Sequence, residues 1–237
     1  MDYFQLLPEG CVSDILSFTS RKDVAISSAT SRGFNSAAES NVIWQKFLPD
    51  DYEDVVSRYV SPPVCTNKKE LYFSLCDFLV LIDGVNCFSL DKRTGKKCFM
   101  ISARELAISW GDDTLWYWEW ISHPDSRFSD VAYLKAVSWL DIRGTIGTQM
   151  LSKRTKYVVY LVFKLVEVHE GVEIANAFVR FVNRMCEKEA AELASVVSLN
   201  WGTFFNDTRD DGDIEARLIG DYAASWKRWP YCSRNRI

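Results

Sequence analysis

The residues of this chain best suited to chemistry are indoles and carboxylates. Trp110 is followed by Trp116, Trp118 and Trp120, with Tyr117 and Glu119 interleaved. Alternate side chains of a strand share a face, so the spacing predicts Trp116, Trp118 and Trp120 on one side and Tyr117 and Glu119 on the other. Flat, partly exposed indoles stack on the polarised C–H faces of sugar rings, while a nearby carboxylate orients the hydroxyl groups through charge-assisted hydrogen bonds. Large rings also fill the core of a sandwich. Both readings stand for Trp110 and Trp118; Trp120 and Trp139 read as core.

Other chemistries find little material. His123 and His169 are the two imidazoles, and His169-Glu170 lacks the second histidine of a zinc protease. The sequence contains neither a Gly-x-x-x-x-Gly-Lys-Ser/Thr phosphate loop nor a Gly-x-Ser-x-Gly elbow. Asp207 to Asp213 fails as a calcium loop, with Leu218 where the bidentate glutamate belongs, and reads as a solvated turn. The seven cysteines (11, 65, 76, 87, 98, 186 and 232) are odd in number and scattered singly, which fits free thiols in a cytoplasmic or nuclear protein better than disulfides or zinc. The glycosylation triplet Asn206-Asp207-Thr208 is then expected to stay unmodified. A net charge of −4 gives no global field for nucleic acid or anionic lipid, and the apolar run 157–163 is too short to span a bilayer. Neither nucleic acid nor membrane is an expected partner, no cofactor or metal is implied, and an independent enzyme is disfavoured.

The elements that must position these rings change character near residue 60. Before it the patterning is helical: Pro8 suits a first turn, Ser20-Arg21-Lys22-Asp23 reads as a capping box, and Asn41 can cap a helix running to Pro49. Three helices are expected there. Ser61-Pro62-Pro63 to Asn67 is a breaker cluster and a candidate linker. Beyond it, short β-branched and aromatic runs alternate with Gly, Asp and Asn turns, the pattern of a β-sandwich. The segment 157–165 is apolar on both faces apart from Lys164 and predicts a strand buried mid-sandwich, whereas 185–194, rich in Glu, Lys, Ala and Leu, predicts a helix.

Two resemblances sharpen this reading. Leu7-Pro8-Glu9, Ile15-Leu16-Ser17, Asp23-Val24, Ser31-Arg32-Gly33-Phe34 and Val42-Ile43-Trp44 closely resemble the F-box of plant phloem-lectin-like F-box proteins, with Arg21 where that family usually has proline. The resemblance implies that Leu7, Pro8, Ile15, Leu16, Val24, Phe34 and Trp44 form a face for a Skp-type adaptor and, through it, a cullin. From residue 68 to about 167 the chain is similar to the Nictaba lectin domain, through Ile108-Ser109-Trp110-Gly111-Asp112, Tyr117-Trp118-Glu119-Trp120 and Trp139-Leu140-Asp141-Ile142-Arg143-Gly144. That implies recognition of N-acetylglucosamine oligomers or N-glycan cores on a glycoprotein, with Trp110 and Trp118 stacking and Asp213 in place of a sugar-binding glutamate. Gly220 stands where a second glutamate is usual, Ala194-Ser195-Val196 replaces an Asp-Gly-Trp entry, and the ending after Trp226-Lys227 departs from the expected final strand.

The expected molecule is an α+β multidomain chain: a small three-helix F-box (1–50), a linker (51–68), and a mostly antiparallel β-sandwich of the Nictaba type with an atypical C-terminus (69–237). Its expected role is to recruit substrates to a Skp-cullin-F-box ubiquitin ligase, with weakened sugar affinity. The alternative is a lectin-like or protein-binding scaffold outside the ubiquitin pathway.

Overall fold

The computed structural model describes residues 7–61, 64–77, 80–112, 116–164, 174–182, 189–192, 198–207, 212–220 and 227–228. The chain forms two compact units, Met1–Met100 and Ile101–Ile237.

In the first unit, α1 (Glu9–Ser17) starts at Pro8, whose φ of −56° is pre-set for helix entry. Helix α2 (Arg21–Ser28) opens on the expected capping box, in which the Ser20 side chain accepts the Asp23 N–H and the Asp23 carboxylate accepts the Ser20 N–H. A helix not anticipated, α3 (Arg32–Ala38), follows from an N-cap at Ser31. Gly33, Asn35 and Ser36 hide it from propensity; burial of Ala37 and Ala38 holds it in place. Helix α4 (Asn41–Phe47) is capped by Ser40, one residue before the expected Asn41, whose side-chain oxygen instead accepts the Lys68 N–H at 2.9 Å.

The segment read as linker holds α5 (Tyr52–Ser57), and α6 (Lys68–Asp77) follows it. Strands β1 (Val80–Ile82), β2 (Asn86–Leu90) and β3 (Lys97–Ile101) complete a three-stranded sheet. Val12, Leu16, Val24, Ile43 and Trp44 share one core with Tyr52, Val55, Tyr72, Leu75, Phe88 and Leu90. Arg21, the departure from the usual proline, lies over the rings of Phe47 (5.7 Å) and Tyr72 (5.6 Å) and donates to the Arg93 carbonyl at 3.0 Å. Gly95 leaves room for it: a Cβ there would sit 2.1 Å from an Arg21 guanidinium nitrogen, at a φ of +68°.

The second unit contains β4 (Ala107–Ile108), β5 (Trp118–Ile121), β6 (Val131–Leu134), β7 (Ala136–Val137), β8 (Asp141–Gly147), β9 (Thr155–Val162), β10 (Ile174–Phe181), β11 (Glu189–Glu192), β12 (Ser198–Asn206), β13 (Asp213–Gly220) and β14 (Lys227–Arg228). An antiparallel sheet runs β11-β10-β13-β8-β4, accompanied by the pairs β9–β12, β5–β6 and β7–β14. One face of the large sheet presents Ala175, Ala177, Ile142, Ala216 and Leu218 to a core that includes Trp118, with Val159 and Leu161 of β9 packed against it. Its opposite face carries a charged ladder. Arg217 forks onto the buried Asp141 carboxylate (2.8 and 2.6 Å), Arg180 pairs with the buried Glu215 (2.7 Å), and Arg143 stands between them, 3.7 Å from Asp141 and 3.8 Å from Glu215. The hydrogen bonds that Arg217 donates to Asp141 raise its already high pKa.

Two expectations for this unit are corrected. Strand β9 is not covered on both sides: Val158, Tyr160 and Val162 are exposed while Tyr157, Val159 and Leu161 are half-buried, so the second apolar face opens outward. Within the predicted helix 185–194, Glu189–Glu192 is strand β11, paired antiparallel with β10; the ladder to a neighbouring strand overrides the helical preference of Glu and Ala. The remainder of that segment, Ala194-Ser195-Val196 and residues 229–237 lie outside the described residues. Asn206, at the end of β12, is fully buried, and its amide donates to the Thr148 and Ser152 carbonyls at 3.2 and 3.1 Å. Among the described residues no helix is long and apolar enough to cross a membrane, and no group of His, Cys, Asp and Glu is disposed to hold a metal.

Candidate functional site

Two surfaces stand out, one in each unit. In the first, helix geometry divides the seven residues expected to meet an adaptor. Leu7, Pro8 and Ile15 are exposed, Ile15 at 48%. Leu16, Val24 and Trp44 are buried at 4%, 1% and 3%, and Phe34 packs partly buried against the same core. Trp44 donates its indole N–H to the Ala38 carbonyl at 2.7 Å and meets the rings of Phe47, Tyr72 and Phe73. Leu16, Val24 and Trp44 therefore shape the scaffold instead of offering a free face.

The free face joins Leu7 and Ile15, which the motif reading named, to residues it left out. Leu7, Cys11, Ile15 and Phe18 are all exposed and follow one another at intervals of four, four and three, which places them along one side of α1 and its flanks. The Lys46 ammonium of α4 lies 3.8 Å from the Phe18 ring centroid and donates to Ser17 Oγ at 2.9 Å. One turn earlier on α4, Val42 is exposed as well, so the patch crosses from α1 to α4. The 7-11-15-18 spacing was the signal available in the sequence.

In the second unit, Trp110 is 51% exposed at the tip of a tight turn closed by Gly111 N–H to Ile108 O at 2.9 Å. Its φ of +64° lies in the left-handed region, a conformation that costs a bulky side chain on the order of 1–2 kcal/mol. Ser109 N–H donates to Asp141 O at 2.9 Å, anchoring the turn to the start of β8. Tyr117 packs beside Trp110 with ring centroids 5.5 Å apart, and Trp116 is exposed in the turn before β5.

Trp118 is only 4% exposed, with its indole N–H on the Ser109 carbonyl at 3.1 Å; it belongs to the core, a correction to its expected stacking role. Trp120 is half-buried, donates to the Gly111 carbonyl at 3.4 Å and is covered by the Arg104 guanidinium at 3.9 Å, which also reaches Asp130. Asp213 is exposed but does not join Trp110. It pairs with Gly147 at the far end of β8, whereas Gly220 N–H meets the Leu140 carbonyl at the end where the Trp110 turn is anchored. Seven residues of strand separate those ends, roughly 23 Å. Gly220, where the resemblance leads one to expect a second carboxylate, thus lies at the Trp110 end of the sheet, and Asp213 at the other.

Comparisons with known proteins agree with this division. The family described as "F-box domain" matches residues 4–46, and that described as "Phloem protein 2" matches residues 96–228. Among Arabidopsis thaliana proteins, the chain is 40% identical to F-box protein At2g02240, over 94% of this chain and 76% of that protein. It is 47% identical to F-box protein PP2-B10 (72% of this chain, 61% of that protein) and 44% identical to F-box protein SKIP3 (67% and 53%). It thus spans between about half and three quarters of the length of these relatives.

Proposed function

Because the chain belongs to the phloem protein 2 F-box family, we propose that it is the substrate-recruiting subunit of a Skp-cullin-F-box ubiquitin ligase. The observation that carries this reading is the row of exposed Leu7, Cys11, Ile15 and Phe18 along α1, with exposed Val42 on α4, whose Lys46 reaches Phe18. An exposed apolar row that includes an aromatic is the kind of surface in which a few side chains supply most of the binding energy. The chain itself is not the catalyst in this reading. It acts by position: a target held on the second unit is brought to high effective concentration beside the subunits that transfer ubiquitin.

The target-reading surface is the Trp110 turn, and its chemistry suits a pyranose ring such as N-acetylglucosamine on a glycoprotein. With Asp213 distant and glycine at 220, the site lacks two charged hydrogen bonds, each worth about 1.5–3 kcal/mol, so sugar affinity is reduced at least roughly a hundredfold relative to a site that has them.

Co-expression of the full chain with a Skp-type adaptor tests the first half. Wild type co-purifies, whereas Ile15→Asp combined with Phe18→Asp does not, with helical circular dichroism unchanged; retention of the double variant would sink the proposal. Titration of the full chain with N-acetylglucosamine oligomers, followed by tryptophan fluorescence, tests the second. Saturable binding lost in Trp110→Ala supports the glycan reading, and a folded wild type that binds none overturns it.

A further inference from the structure

Trp110 is flanked by two carbonyls, of Ser109 and Gly111, and each is held by an indole N–H from the same side of β5: Trp118 on Ser109 at 3.1 Å and Trp120 on Gly111 at the longer 3.4 Å. We propose that Trp118 and Trp120 are positioning residues that clamp the 109–111 turn and hold Trp110 outward in its left-handed conformation, ready for a ligand before any ligand arrives.

Several observations converge on this. The conformation at Trp110 is one a bulky residue avoids when its backbone is free, so something in the surrounding structure must over-determine it. Two neighbouring residues fixed on either side do so: once the Ser109 and Gly111 peptide groups are both tethered, Trp110 has little rotation left to relax. The tethers themselves are rigid. Trp118 is buried in the core of the second unit, and the ring of Trp120 is capped by Arg104, which is in turn paired with Asp130. Further bonds close the turn on itself and onto β8, through Gly111 N–H to Ile108 O and Ser109 N–H to Asp141 O. An exposed aromatic on a rigid turn binds without first losing conformational freedom, which lowers the ordering cost of association.

This assigns the tryptophans of the motif to different tasks. Trp110 is the contact ring, while Trp118 meets the ligand only through the backbone it fixes. That the ligand is a sugar rests on the proposed function; that the turn is held ready does not.

Hydrogen–deuterium exchange on the full, ligand-free chain tests the clamp without reference to glycans. Trp118→Phe keeps an aromatic ring in the core and deletes the N–H. The expected result is at least tenfold faster exchange of the Ser109 and Gly111 amides, with β8 and β13 still protected. Adding Trp110→Gly, which removes the conformational penalty, restores slow exchange at Ser109 and Gly111 in the double variant. A merely structural role for Trp118 predicts no such rescue. Should Trp118→Phe also open β8 and β13, the same cycle in the half-buried Trp120→Phe decides. Unchanged exchange at the turn, or loss of protection that Trp110→Gly does not restore, overturns the proposal. Failure of the glycan reading would appear separately, as a wild type that binds no N-acetylglucosamine oligomer while its turn stays protected.

Discussion

At the scale of single residues, adjacent positions in one motif do opposite work. Ile15 and Leu16 stand side by side in the sequence, but about 100° of helical rotation sends one to solvent and the other into the core. Trp44→Ala should cost about 3–5 kcal/mol in a urea denaturation, because it removes a buried ring and orphans the Ala38 carbonyl. Ile15→Ala should leave the denaturation midpoint nearly unchanged and act on adaptor capture alone. The motif told which residues matter without telling which face they occupy, since that depends on what α1 packs against. Asp141 illustrates the same limit: its place in Trp139-Leu140-Asp141 gives no hint that Arg217, distant in sequence, closes a forked ion pair on it. Asp141→Asn should destabilise by about 3 kcal/mol, read as a lower melting temperature, because two arginines on the sheet lose their shared buried counter-charge.

At the scale of elements, the clear local signals were the turns and caps, where side chain and backbone interact within three or four residues. The capping box at Ser20 was readable for that reason. The turn between β2 and β3 follows the same local logic: the Asp91 carboxylate accepts the Thr94 hydroxyl (2.6 Å) and N–H (2.7 Å), which hold its pKa below the ordinary 3.8. The unfolded chain binds this proton more readily than the folded one. The stabilisation is therefore complete above the ordinary carboxylate pKa and is lost as pH falls through the lowered native value. Asp91→Asn should flatten the acid limb of stability against pH, measured by circular dichroism below pH 4. Strand β9 was legible as a strand but not in its surroundings. Composition shows two apolar faces and says nothing about which of them another layer covers. Val158→Lys should change stability by no more than about 0.5 kcal/mol, whereas Leu161→Lys should unfold the second unit in a thermal melt.

At the scale of the whole molecule, the two families met in sequence are each visible as a separate region, but the first compact unit extends well past the F-box match. Its helices share their core with Tyr52, Val55, Leu71, Tyr72 and Leu75, so about forty residues of F-box were too few to bury themselves. Such long-range burial leaves no mark at the Pro62-Pro63 breaker, which looked like a boundary because prolines interrupt helices wherever they stand. A chain ended after Asp50 should lose its helical circular dichroism, whereas one ended after Met100 should keep it.

The buried Asn206 connects the fold to the history of the chain. Its amide nitrogen is the atom a glycosyl transfer would modify, and in the folded protein that atom is committed to the carbonyls of Thr148 and Ser152. A glycan attached during synthesis would keep β12 from closing against this loop, and one offered after folding would find the nitrogen out of reach. The folded state and the glycosylated state of this triplet exclude each other, so a correctly assembled second unit is a record that the chain was never modified there.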